Sequence, residues 1–288
     1  MVFITIIFAG ARWVWKVDEK NSVALPADEP ATEPAEEPES GEDLEFLNKG
    51  LNPSIVALSN FLGAGSPEER SQFVVRPMLT AARMDRFYRL SPWLPLDPRE
   101  LSLSARGVLP LPAGKAIETQ WASADGHLLD AVFVEEDGEW RLDWDHFARA
   151  SDYPWVMFLA GSGGDEGEFR LLARERLAKE RKQEKTISIV LYAPRFGHAG
   201  ETGSQSPEFL VPRDSKNGRM LEAAFNLARS EKRAFGVDLP IIDPEDFIRV
   251  RVKIRRADPN SEVRFELQDV IAPHWYSTDE SGVLMQEN

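Results

Sequence analysis

Between Ala116 and Ala148 apolar and polar residues alternate with period two, and two Asp-Gly dipeptides, Asp125-Gly126 and Asp137-Gly138, interrupt the alternation. Asp-Gly between alternating runs is the short-range signature of a two-residue type I′ hairpin. The pattern therefore predicts a three-stranded antiparallel meander with Ala124 opposite His127 and Glu136 opposite Glu139. Cross-strand partners share a face. One face then carries Glu118, Gln120, Ala122, Leu129, Ala131, Phe133, Trp140, Leu142, Trp144 and His146. The other carries Ile117, Thr119, Trp121, Leu128, Asp130, Val132, Val134, Arg141, Asp143, Asp145 and Phe147. The first set is the more apolar and aromatic, which marks it as the core face, although a single β-bulge inverts part of such an assignment.

Helical spacing precedes the meander. Asn52-Pro53 reads as an N-cap followed by Pro at the first helical position, and Gly63 closes a short helix bearing Ile55, Leu58 and Phe61. Ser66-Pro67-Glu68-Glu69 forms a capping box. The helix it opens carries Phe73, Val74, Met78, Met84 and Phe87, with a break expected at Arg76-Pro77 because proline lacks an amide donor. The prolines between Leu90 and Pro112 exclude a long helix there and predict a packed loop with a short extended piece near Leu101–Leu103.

The pattern changes after Ser151. Residues 151–167, ending in Gly161-Ser-Gly-Gly-Asp-Glu-Gly167, read as a connection. Strands are expected at 168–177, 186–192, 247–255 and 262–267, with a helix capped by Ser215 or Asn217 and closed by Gly236, which gives the order β-β-α-β-β. The predicted class is α+β: N-terminal helices packed on a curved antiparallel meander, followed by a second antiparallel sheet domain.

Helices leading into a bent meander whose last strand is Trp-rich, here Asp137-Gly-Glu-Trp-Arg-Leu-Asp-Trp144, resemble the nuclear-transport-factor-2-like superfamily over roughly residues 52–150. The resemblance implies a cone-shaped fold whose curved sheet wraps helices around a pocket, used by some members as hydrolyases or isomerases with an Asp or an Asp-His pair. The matching pocket-lining positions are Gln120, Trp144 and His146. The strand's Asp residues fall on the opposite face, which departs from such a dyad and weighs against catalysis.

Composition adds the flanks. The chain opens on the apolar run Met1–Ala11, followed by Arg12-Trp-Val-Trp-Lys16. A spanning helix needs about 20 apolar residues, so residues 1–16 read as a membrane anchor that is short or truncated at its start, with a Trp belt at its end. A buried strand and an uncleaved signal-like segment are the alternatives. Residues 17–45 are rich in Asp, Glu, Pro and Ala and cannot bury enough to offset chain entropy, so they read as an extended acidic linker or tail. The resulting organisation is anchor 1–16, linker 17–45, pocket-bearing domain 46–150, connection 151–167 and sheet domain 168–288. It suggests a tethered protein of a cell-envelope compartment, its side of the membrane open.

The 288 residues contain no Cys, which excludes disulfides, thiolate metal sites and Cys nucleophiles, and the net charge of -14 argues against nucleic acid as a partner. The four histidines, His127, His146, His198 and His274, lack ligand-like spacing, so no metal is expected, and no cofactor motif is present. The row Arg249, Arg251, Lys253, Arg255 is expected on a solvated face, paired across strands with acids such as Glu262 and Glu266. His146 is the one weak catalytic candidate, since alternation turns it away from Asp143 and Asp145. The favoured reading is a non-enzymatic protein that binds a protein partner or small ligand; the alternative is a hydrolyase- or isomerase-like enzyme with His146 in its pocket.

Overall fold

The structure is a computed structural model, and it describes residues 40–91, 94–176, 185–257, 264–278, 280 and 282–283. Helix α1 (Gly41–Gly63) starts where Ser40 accepts a hydrogen bond from the Asp43 amide, with Glu42 and Asp43 in the first turn beside the positive end of the dipole. This corrects the expected start at Asn52: residues 41–45 are helical, and Pro53 lies inside the helix. Packing explains the override. Gly50 sits so close to Trp140 and Ile117 that a Cβ there would overlap both side chains, and Leu47 is buried beside them. Helix α2 (Pro67–Arg70) is capped by Ser66, and a 3₁₀ turn leads to α3 (Pro77–Leu90). The break falls at Arg76, as proline chemistry requires.

Four antiparallel strands, β1 (Leu101–Leu111), β2 (Gly114–Ser123), β3 (Leu128–Glu136) and β4 (Glu139–Leu142), form the first sheet in sequence order. β1 replaces the expected Pro-rich loop. As an edge strand it accommodates Pro110, whose missing amide disrupts no ladder. At the β3–β4 turn, Asp137 and Gly138 both have positive φ, 54° and 81°, and Phe133 lies opposite Leu142. That is the expected type I′ register.

The β2–β3 turn differs by one residue. The Ser123 amide donates to the His127 carbonyl at 2.9 Å, Gly126 alone takes positive φ, and Ala122 pairs with Leu128. The extra residue is the bulge that shifts β2 by one position and inverts its faces. Ile117, Thr119 and Trp121 therefore join Leu129, Ala131 and Phe133 against the helices, while Glu118 and Gln120 share the opposite face with Asp130 and Val132. The last strand is also shorter than its alternation implies. Asp143 caps a short helix, α4 (Trp144–Phe147), by accepting from the His146 amide, so Trp144 and His146 are helical rather than on β4.

After α5 (Trp155–Leu159) come β5 (Glu166–Glu175), β6 (Thr186–Pro194), β7 (Thr202–Gln205), β8 (Phe209–Pro212), α6 (Lys216–Arg229), β9 (Phe247–Arg256) and β10 (Phe265–Ala272). The second sheet runs β10-β9-β5-β6-β7, and β8 also pairs with β6. The predicted strand–helix–strand order holds, with β7 and β8 added between the second predicted strand and the helix. Helix α6, capped by Ser215, ends at Arg229 rather than near Gly236. Its Met220, Leu221, Ala224 and Phe225 pack on the apolar face of β5, β6 and β9. Both sheets lie within one compact unit, Ser40–Asn288.

Among the described residues no helix is long and apolar enough to cross a membrane. This corrects the expectation of a transmembrane helix so far as those residues go. The apolar stretch Met1–Lys16 on which it rested lies outside them.

Candidate functional site

The faces of the two sheets turned away from their apolar cores are joined by a buried ionic layer. β3 contributes Asp130, β9 contributes Arg249 and Arg251, β5 contributes Arg170, and the turn after α4 contributes Arg149. Asp130 is 1 % exposed. One of its oxygens accepts from Arg149 at 3.0 Å, and the other from Arg249. Arg249 is also paired with Asp243 at 2.6 Å. Burial alone would raise the Asp130 pKa, but Arg249, His146 and Arg149 outweigh it and hold the carboxyl well below its usual range. Burial likewise opposes the charge on Arg249, yet Asp130 and Asp243 hold its pKa well above normal. For Arg149 burial dominates, and its pKa is lowered.

Aromatic faces complete the layer. Trp275 receives the Arg249 guanidinium at 4.5 Å and that of Arg149 at 5.3 Å from its ring centre. Tyr276 stacks on His146 with 4.6 Å between ring centres and a 3° interplanar angle. Burial, reinforced by the Glu118 charge, lifts the Tyr276 hydroxyl well above its ordinary pKa. Glu118 itself accepts from Arg233 at 2.6 Å and from the Val237 amide at 3.0 Å. Burial pushes His274, further along the same segment, down to about 4.

The three expected pocket residues separate. Gln120 lies on the inter-sheet face and donates to the Pro240 carbonyl at 2.7 Å, so the bulge has removed it from the helix side. His146 is fully buried, with Nε2 3.1 Å from Asp130 Oδ2 but outside hydrogen-bond geometry. Its carboxylate neighbour, Asp130, is thus a residue that alternation had placed on the far face. Both groups are sealed from every described cavity. Trp144 alone lines a cleft. It also donates to the Tyr88 hydroxyl at 2.9 Å and meets Phe87 edge-on.

That cleft, of about 480 Å³, lies between α3, α4 and the strands β5 and β9. Arg76, Arg83, Arg170 and Arg251 line it together with Asp143, Asp145, Asp152 and Glu168. Most of these charges are engaged internally. Arg83 grips Asp145 in a two-pronged pair at 2.8 and 2.5 Å. Asp143 accepts from the Ser277 amide and hydroxyl at 2.9 and 2.7 Å, in addition to capping α4. Arg170 donates to the carbonyls of Trp275 and Ala150 at 2.9 and 2.8 Å. Val75, Arg76, Asp143 and Ser277 also line a second hollow of about 230 Å³, whose walls are Leu109, Leu111, Pro112, Val132, Val134 and Tyr276. A charged hollow and an apolar one therefore share one rim.

The arginine row is split by the same architecture. Arg255 pairs with Glu266 on an exposed face, as expected for cross-strand ions. Arg251 is instead buried, donating to the Tyr276 carbonyl beyond β10, and Arg249 turns to the other sheet, where Asp130 of β3 accepts from it. Among the described residues no group of three or more His, Asp or Glu side chains is placed to hold a metal ion. His127 and His198 do meet edge-on, 4.8 Å between ring centres.

No family model, curated protein or solved structure matches the chain.

Proposed function

We propose that this chain is a non-enzymatic binding protein whose ligand occupies the paired hollows between α3 and the inter-sheet layer. The observation that carries the reading is the segregation of chemistry from access. The His146–Asp130 pair, the constellation closest to a general-acid/base dyad, is sealed in the core, while most of the charges lining the open hollows are already fixed in ion pairs and caps. Preorganised ions and a shared apolar wall suit recognition, and a dyad without solvent or substrate access does not suit turnover. The nuclear-transport-factor-2-like reading of residues 52–150 is kept as a companion proposal, supported by the order of helices followed by a meander.

A thermal-shift screen of the full chain against amino acids, short carboxylates, sugar phosphates and alkyl amphiphiles tests this. Saturable stabilisation by at least one class, weakened by Arg83→Ala or Glu168→Gln, is the expected result. Hydrolyase or isomerase turnover abolished by His146→Asn would overturn the non-enzymatic reading. A flat response across the whole panel would overturn the ligand-binding one.

A further inference from the structure

Arg76 stands apart from the other charges that line the two hollows. It lies on the rim that both share, and its side chain makes no hydrogen bond or ion pair among the described residues. Its backbone is held at φ 51°, ψ 61°, a left-handed conformation disfavoured for a residue with a Cβ and further crowded by the proline that follows. Such strain persists only where surrounding structure enforces it, and it gathers at binding sites. Here the enforcing contacts are the Arg76 amide donating to Glu136 at 3.0 Å and the Arg76 carbonyl accepting from Leu79 and Thr80 at 3.0 Å each. The result places Arg76, its guanidinium uncommitted, on the lining of an apolar hollow beside the positive end of α3.

The neighbouring acids are differently placed. Asp143 is held by Ser277 and the His146 amide, Asp145 by Arg83, and Asp152 by the Glu168 amide at 2.8 Å. An arriving cation would have to displace these donors. An arriving anion meets a free planar fork that matches a carboxylate. Resting on the ligand-binding reading above, we infer that the ligand is an amphiphilic carboxylate, its single alkyl chain in the hollow walled by Leu109, Val132, Val134 and Tyr276 and its carboxylate on Arg76.

Isothermal titration of the full chain with decanoate, decanol, decylamine and decyl phosphate, each below its micellar concentration, decides the matter. Decanoate should bind once per chain, with decanol and decylamine weaker by about tenfold or more, the loss of a charge-assisted pair. Arg76→Gly should bring decanoate down to the affinity of decanol while raising the melting temperature, since glycine relieves the strained φ. Arg76→Lys should keep part of the preference, and Val134→Trp, filling the hollow, should abolish binding of all four probes. Equal binding of decanoate and decanol, or a preference that survives Arg76→Gly, would overturn the anion assignment yet leave the hollow as a ligand site. Decyl phosphate binding far more tightly than decanoate would replace the carboxylate by a phosphate headgroup. If members of the wider panel bind and no alkyl probe does, this inference fails alone; if nothing binds, the ligand-binding reading fails with it.

Discussion

Replacing Asp130 by Asn tests the inter-sheet layer most directly, because the change preserves shape and removes only charge. In the native protein that carboxylate is contacted by Arg149, Arg249 and His146. Arg249 would keep Asp243, whereas Arg149, 4 % exposed at its side chain, would keep one carbonyl contact to Phe147 at 3.3 Å. Removing one partner of a buried ion pair costs about 3–5 kcal/mol, chiefly because the other charge is stranded. Against a typical domain stability of about 5–15 kcal/mol, that is enough to unfold a marginal protein and to halve the stability of an average one. Urea denaturation followed by tryptophan fluorescence and by far-ultraviolet circular dichroism provides the measurement. The double variant Asp130→Leu/Arg149→Met should recover much of the loss, since an apolar pair of similar volume strands no charge. A loss below about 1 kcal/mol for Asp130→Asn would mean that the layer is hydrated like a surface and refute its being a sealed ionic contact.

Acid titration gives a second, independent reading of the same group. The folded pKa of Asp130 is depressed below its unfolded value, so its contribution is fully present above the unfolded pKa of about 3.9 and is lost as pH falls through the lower folded value; Asp130→Asn should therefore flatten the stability profile below about pH 4. Trp144→Ala should cost about 3–5 kcal/mol by urea melt, because the ring is 2 % exposed among Phe87 and Tyr88. Asp143→Ala, which alternation alone would make mild, should cost about 2–3 kcal/mol, since it removes the α4 cap and both Ser277 bonds. Arg76→Gly should stabilise by about 1 kcal/mol, and a loss of stability instead would show that its φ of 51° carries no strain. Met78→Ser, at a position 90 % exposed, should change stability by no more than about 0.5 kcal/mol in the same assay.

The parts of the fold legible in the sequence were those fixed by local chemistry. Asp137-Gly138 determines its turn unaided, because only residues tolerant of positive φ fit it, and the strand pairing from Phe133 to Leu142 follows. Strict alternation from Phe247 to Arg255 likewise identified β9, and Ser215 identified the start of α6. What failed depended on distant packing. Nothing within residues 41–52 shows that Gly50 admits the Trp140 ring, and that contact is what carries α1 through Pro53.

Part of the candidate site was hidden by a single residue of register. Asp125-Gly126 has the same dipeptide as its neighbour, but Gly126 alone turns left-handed, and the added residue exchanges the two faces of β2. With the uninverted register, Gln120 joins Trp144 and His146 in a pocket; with the observed one, Gln120 shares the face of Asp130, which keeps the side alternation gave it and is covered there by the second sheet. One signal was nevertheless present: a lone Asp in the apolar run from Leu128 to Val134 is costly to bury unless a cation meets it. One such cation is Arg149, which takes a φ of 52° at the end of α4, where glycine is the ordinary choice. An arginine is tolerated in that conformation because its side chain is needed there, on Asp130. Alternating charges on β9 were ambiguous for a deeper reason: a strand face bearing Arg249 and Arg251 has the same sequence whether water or a second sheet neutralises it. Only the partner face decides, and it lies on the other sheet, where Asp130 of β3 meets Arg249.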